Sequence, residues 1–246
     1  MEDMSLPMEY ARLASSLLMM CYGSYRDLRT REVDNKLWIV FGVLGVIMNI
    51  LDFVFLGRRT SDLIQVGISV GLTWPIALVF FYVGLYGGAD AKALMTLALL
   101  VPTATRGTYL HPFIPLTVLT NGVFCSLVVP LAFFFYNAGK ILSGEKIFEG
   151  FEDEPIWRKI AAAFLGRRIN DIGNRKFLLT LEKREEGVRK FSFSLLTAEE
   201  EEVKEAKDMW VTPGIPLIVF LTAGFVIALA YGDLLSILLP GLSHRG

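Results

Sequence analysis

Two acidic residues sit where acids are costly. Asp90 lies in Gly87-Gly88-Ala89-Asp90-Ala91-Lys92, between the apolar runs 66–86 and 93–101. An ionised carboxylate facing hydrocarbon costs several kcal/mol, so Asp90 belongs at a membrane edge, in a helix bundle or beside a wet cavity. Gly87 and Gly88 let the backbone leave regular helix and let another chain come close. Asp27 ends the first apolar segment and opens the charged loop 25–38. Two carboxyls from different segments can work as a pair. Like charges about 3 Å apart resist ionising together, so such a pair shares one proton. The ionised member can take a proton from water while the protonated member bonds to an amide carbonyl. Because the pair titrates as a unit, neither Asp is assigned the proton. The chemistry needs no metal and no cofactor.

Each residue also has a plainer reading. Asp27 can end a helix and pair with Arg29 or Arg31. Asp90 can cap the helix that follows it. Lys92 can tune a nearby carboxylate or reach to the membrane surface. Asp34 reads as a solvated loop acid, and Asp52, Asp62 and Asp233 fall toward the other side of the membrane. His111 sits in a loop on that other side. No Ser/His/Asp order, H-E-x-x-H run or phosphate loop supports another chemistry, and no nucleic-acid partner is expected. A transporter or channel using Asp27 and Asp90 as a proton or cation site remains the alternative.

These acids need a membrane scaffold, and the composition supplies one. Of 246 residues 53% are hydrophobic, and the mean hydropathy is +0.50, which is rare in a soluble domain of this length. The fold expected is mainly α: a polytopic membrane protein of about six transmembrane helices with a small cytoplasmic α+β insert containing a β-hairpin. Residues 1–137 hold the first five helices, 138–209 the insert, and 210–246 the last helix and a short tail. Cys21 and Cys125 lie in apolar segments as packing residues, and without a C-x-x-C pair no thiolate zinc site is expected.

The spans are expected near 8–25, 36–56, 62–86, 90–105, 113–137 and 213–239. Arg12 is expected to snorkel, Pro75 to kink the third span, and Gly67 and Gly71 to offer a close-packing face. The insert carries 14 Lys and Arg against 15 Asp and Glu. Within it, 176–181 and 188–193 flank 182–187 as a hairpin, and Thr197-Ala198-Glu199-Glu200 opens a short helix running to about Met209. Basic residues in short loops favour one side by five (Arg26, Arg29, Arg31, Lys36, Lys92) to three (Arg58, Arg59, Arg106). That places Asp27, Asp90 and the insert on the cytoplasmic side.

At these positions the chain resembles a family. Asp27 with its basic loop, and a Gly-x-hydrophobic-Asp motif followed closely by Lys92, look like the membrane aspartyl proteases that process type IV pilin-like precursors. Trp210-Val211-Thr212-Pro213-Gly214-Ile215-Pro216 is similar to the start of the last helix in the archaeal preflagellin peptidases. Ala89 stands where many relatives have Gly. The resemblance implies catalytic Asp27 and Asp90, motif support from Gly87, Gly88, Ala89 and Lys92, and no cofactor. It implies a preflagellin or pilin-like precursor as substrate, cut at its short basic leader on the cytoplasmic edge of an archaeal cell membrane. The oligomeric state is open.

Overall fold

A computed structural model describes residues 2–55, 57, 60–104, 108–171, 177–185, 188–193, 207–238 and 244–245. In chain order these form α1 (Glu2–Thr30), α2 (Asn35–Phe55), α3 (Thr60–Tyr82), α4 (Gly88–Leu100), β1 (Thr108–Tyr109), α5 (Ile114–Ser126) and α6 (Val128–Leu142). Then follow α7 (Ile156–Leu165), β2 (Arg167–Asp171), β3 (Leu178–Thr180), β4 (Glu182–Glu185), β5 (Val188–Phe191), β6 (Lys207–Pro213), α8 (Leu217–Ala230), α9 (Leu234–Leu238) and β7 (His244–Arg245). The chain divides into two units, one of Met1–Cys125 with Pro216–Gly246 and one of Ser126–Ile215.

The first unit is helical and patterned inside out. On α2 the buried positions are Trp38, Gly45, Met48, Asn49 and Asp52, while Ile39, Val40, Val43, Ile47 and Ile50 are exposed. On α3 the buried face is Ser69, Thr73 and Ala77. Polar groups turned inward and aliphatic groups turned outward are what a lipid solvent selects. Among the described residues, three stretches are long and apolar enough to cross a membrane: Asn35–Phe55, Thr60–Tyr82 and Ile114–Leu142.

The unit is built around α4, which packs on α1, α2, α3 and α8. Its 13 residues reach only about 20 Å, short of a bilayer's ~30 Å hydrocarbon core. Eight of them are buried, so protein rather than lipid surrounds this helix. Its C-terminal carbonyls are met by side chains from two neighbours. Arg12 on α1 donates to the Leu100 carbonyl at 2.8 Å, and Asn49 on α2 donates to that of Leu99 at 2.8 Å. The same guanidinium bonds Asn49 Oδ1 at 3.0 Å and pairs with Asp52 at 2.9 Å. Arg12 is therefore buried, not snorkelled as its place in the first turns suggested. A cation at a helix C-terminus satisfies orphan carbonyls and opposes the helix dipole.

Close helix approach also departs from expectation. Gly67 and Gly71 have nothing within 4 Å of a would-be Cβ. Tight contacts fall elsewhere: at Gly45, where a Cβ would sit 2.9 Å from the Leu99 carbonyl carbon, and at Gly224 on α8, where it would sit 2.6 Å from the Gly122 nitrogen of α5. The fifth expected span is interrupted at Leu127, between α5 and α6. Pro130 explains this, because it has no N–H to give the Ser126 carbonyl. The sixth begins at Leu217 rather than Pro213, since Pro213 ends β6. It breaks again at Gly232, whose φ of +95° is a glycine conformation.

In the second unit, β2, β6 and β3 form an antiparallel sheet in that order, and β4 pairs with β5. The core gathers Ile147, Phe151, Ala162, Leu181, Phe191 and Trp210. The hairpin is tighter than expected. Glu182 pairs with Phe191 and Glu185 with Val188, so Glu182 lies in a strand and not in the loop. It is held there because its carboxylate accepts from Trp210 N–H and pairs with Arg189, both at 2.9 Å. Leu178–Thr180 pairs instead with β6, a partner distant in sequence. The expected helix from Thr197 falls mostly on 194–206, outside the described residues. Its last part, 207–209, is strand β6.

Candidate active site

Asp27 sits in the last turn of α1. That helix ends because Arg31 adopts φ +56°, with its N–H bonded to the Asp27 carbonyl at 3.1 Å. A seam of hydroxyls fixes α1 against α8. Ser24 Oγ meets Thr222 Oγ1 at 2.7 Å and donates to the Ile218 carbonyl at 3.3 Å. Thr222 also donates to the Met20 carbonyl. This seam carries the Asp27 carboxylate to the first turn of α8, near the Ile218 backbone N–H. Asp27 thus occupies a helix N-terminus that is not its own, where free N–H groups and the helix dipole favour negative charge. It is 9% exposed.

Asp90 is the third residue of α4 and is 8% exposed. Its carboxylate turns back to accept the Gly87 N–H at 2.9 Å. This is half a capping box, since Gly87 has no side chain to return the bond. The plain reading puts Asp90 at the N-cap; Gly87 holds that position, and Asp90 serves the cap from the first turn. A Cβ on Gly87 would stand 3.3 Å from the same carboxylate oxygen, so a side chain there would press on Asp90. Gly88 lies under the Phe81 ring, and Ala89 packs on the apolar core.

The two carboxyls lie within range of one another's charge, and Arg31 lies within range of both. Two acids converge, one behind the N-terminus of α4 and one behind that of α8. Lys92 is directed elsewhere, donating to Asn35 Oδ1 at 2.7 Å at the start of α2. Arg31 is thus a cation that bears on both acids, and it is one of the two partners, with Arg29, that the sequence offers Asp27. Tyr86 was missed altogether. Its hydroxyl is buried near the Asp90 charge with no hydrogen-bond partner among the described residues, and its ring meets Phe80 edge-on at 5.7 Å. Asp34 caps α2 by accepting the Lys36 N–H at 2.9 Å. Among the described residues, no group of three or more His, Cys, Asp or Glu could hold a metal ion.

Asp52 lies with Arg12, about 22 Å along α1 from Asp27. Asp233 is fully buried, donating its N–H to the Thr108 carbonyl at 3.0 Å and accepting the Leu235 N–H at 2.9 Å. Neither joins the Asp27 and Asp90 pair.

Known proteins are similar to this chain in sequence. The family model described as "Type IV leader peptidase family" matches residues 14–131, which include both acids. A second, "Archaeal Peptidase A24 C-terminus Type II", matches residues 158–234. The preflagellin peptidase of Methanococcus voltae is 27% identical over 244 residues, covering 92% of this chain and 98% of that protein. That of Methanococcus maripaludis is 26% identical over 237 residues, covering 88% and 94%. The corresponding protein of Methanocaldococcus jannaschii is 24% identical over 226 residues, covering 85% and 89%. With its acid-bearing helices and its C-terminal region each matched in turn, the chain is similar to the type IV leader peptidase family over residues 14–131 and to its archaeal C-terminal type over residues 158–234.

Proposed function

We propose that this protein is a membrane aspartyl endopeptidase that removes the leader peptide from preflagellin or a related pilin-like precursor. Asp27 and Asp90 are its catalytic pair. The observation that carries this reading is the convergence of two buried carboxyls, each backed by a helix N-terminus. Oriented N–H groups offset part of the cost of holding two acids together and leave one shared proton to distribute. The ionised carboxyl draws a proton from water as it attacks the scissile carbonyl. The protonated carboxyl bonds to the developing oxyanion and then passes its proton to the leaving amine. Gly87 keeps the approach to Asp90 free of a side chain.

In this reading the chain has six membrane segments: α1, α2, α3, α4, α5 with α6, and α8 with α9. Asp27, Asp90 and the polar insert face the cytoplasm, where a short basic leader would be presented. The excess of basic residues in the short loops on that side supports this.

The test is to place the purified protein in vesicles with full-length preflagellin and follow loss of the leader by mass. A discrete cut at the leader junction supports the reading. Proton or cation flux dependent on Asp27 and Asp90, without any cleavage, would replace it with the transporter reading.

A further inference from the structure

Helix α7 carries a function for the second unit. Its sequence, Ile156-Trp157-Arg158-Lys159-Ile160-Ala161-Ala162-Ala163-Phe164-Leu165, places Ile156, Trp157, Ile160, Ala161 and Phe164 on one arc of the helix. Ala162 is buried on the opposite side, and Ala163 is buried at the edge of the arc, next to the line of Ile156 and Ile160. Ile156 is 75% exposed, Trp157 64% and Ile160 50%. A soluble surface seldom leaves three large apolar side chains side by side in water.

The arc is continuous with a surface that is itself apolar. Phe164 stacks on Phe134 of α6, with ring centroids 4.5 Å apart. Asn137 of α6 donates to the Ala163 carbonyl at 2.9 Å and the Gly166 carbonyl at 2.7 Å, tying down the C-terminal end of α7. Phe134 lies eight residues, about 12 Å, before the end of α6. Helix α7 therefore meets α6 within the stretch apolar enough to cross a membrane, beside the exposed Leu131 and Phe135. Just beyond, Lys140 and Arg167 both lie over the Tyr136 ring, the residue types found at a lipid–water boundary. Arg158 lies over the Trp157 ring on the flank of the arc.

We propose that α7 is an interfacial helix. Its Ile156, Trp157 and Ile160 face enters the headgroup–acyl boundary of the leaflet at the C-terminal end of α6 and seats the second unit on the bilayer. The occupant of the face is lipid, not a second protein. This rests on α6 being a membrane segment, as proposed above.

The full chain, with Cys21 and Cys125 replaced by Ala, is spin-labelled at Ile160→Cys, Leu131→Cys or Val188→Cys and placed in phospholipid vesicles. Collision with dissolved oxygen and with a water-soluble nickel chelate is then measured. The label at 131 on α6 should meet oxygen and exclude nickel, and the label at 188 on β5 should do the reverse. The proposal predicts that the label at 160 follows 131, with a shallower depth. If 131 behaves as a lipid position but 160 is as open to nickel as 188, the interfacial helix is refuted and the span stands. If 160 is shielded from both reagents, protein covers the face and the proposal fails likewise. Nickel access at 131 would overturn the span and this proposal together.

Discussion

Replacing Arg12 by alanine removes the group that joins α1, α2 and the end of α4. The guanidinium is buried, ion-paired to Asp52 and bonded to Asn49 and the Leu100 carbonyl. Truncating one partner of a buried pair costs about 3–5 kcal/mol, because the other charge stays behind uncompensated. The folded-to-unfolded ratio should therefore fall by about two to four orders of magnitude. Asp52→Asn keeps an oxygen for Arg12 to bond and should cost less. Removing both charges at once, as Arg12→Met with Asp52→Leu, should recover much of the loss, since no ion is then stranded. Denaturation of the detergent-purified proteins, with Arg12→Met and Asp52→Leu also made singly to complete a double-mutant cycle, reads all of these. An Arg12→Ala protein within about 1 kcal/mol of the parent would refute the reasoning, being the range of an exposed pair. So would a double mutant no better than the worse single one.

Other predictions follow from the same geometry. Gly45→Leu should destabilise by about 1–3 kcal/mol or more through overpacking against Leu99, while Gly67→Ala and Gly71→Ala should leave thermal stability nearly unchanged. Arg31→Ala should shift the pH dependence of cleavage, whereas Lys92→Ala should not, because Lys92 is bonded to Asn35. Parallel pH–rate profiles of the two variants decide this. In the second unit, the Arg168 hydrogen bonds hold the Asp208 carboxyl down to about 2 from 3.8. Its stabilising effect is complete above the ordinary value and is lost as pH falls toward about 2. Asp208→Asn should flatten that acid limb in circular dichroism, modestly, since the side chain is half exposed.

What was legible in the sequence was local. The apolar runs mark α2 and α3 within a few residues, and the Gly87–Lys92 stretch stands out because an acid there needs a reason. What was not legible depends on which helix lies beside which. Nothing near Arg12 announces that Asp52 and the Leu100 carbonyl await it. Nothing near Asp27 announces that the N-terminus of α8, some 190 residues on, lies beside it. The choice of Arg31 over Lys92 likewise turns on the left-handed residue that ends α1 and on Asn35 intercepting the lysine. In the insert, alternation suggested strands but could not say that Leu178–Thr180 pairs with β6, because period-two patterning is blind to partner choice.

The central claim is that Asp27 and Asp90 act as one pair on a leader peptide. It is tested most directly by single-turnover cleavage of preflagellin with Asp27→Asn, Asp90→Asn and both together, each first shown to unfold like the parent. Asn at position 90 can still accept the Gly87 N–H, so the fold should survive. Each single change should slow cleavage by about 10²–10⁴-fold or more. The double change should be no slower than the worse single one, as befits groups that work as a unit. A natively folded single variant cutting at the parent rate would contradict the account.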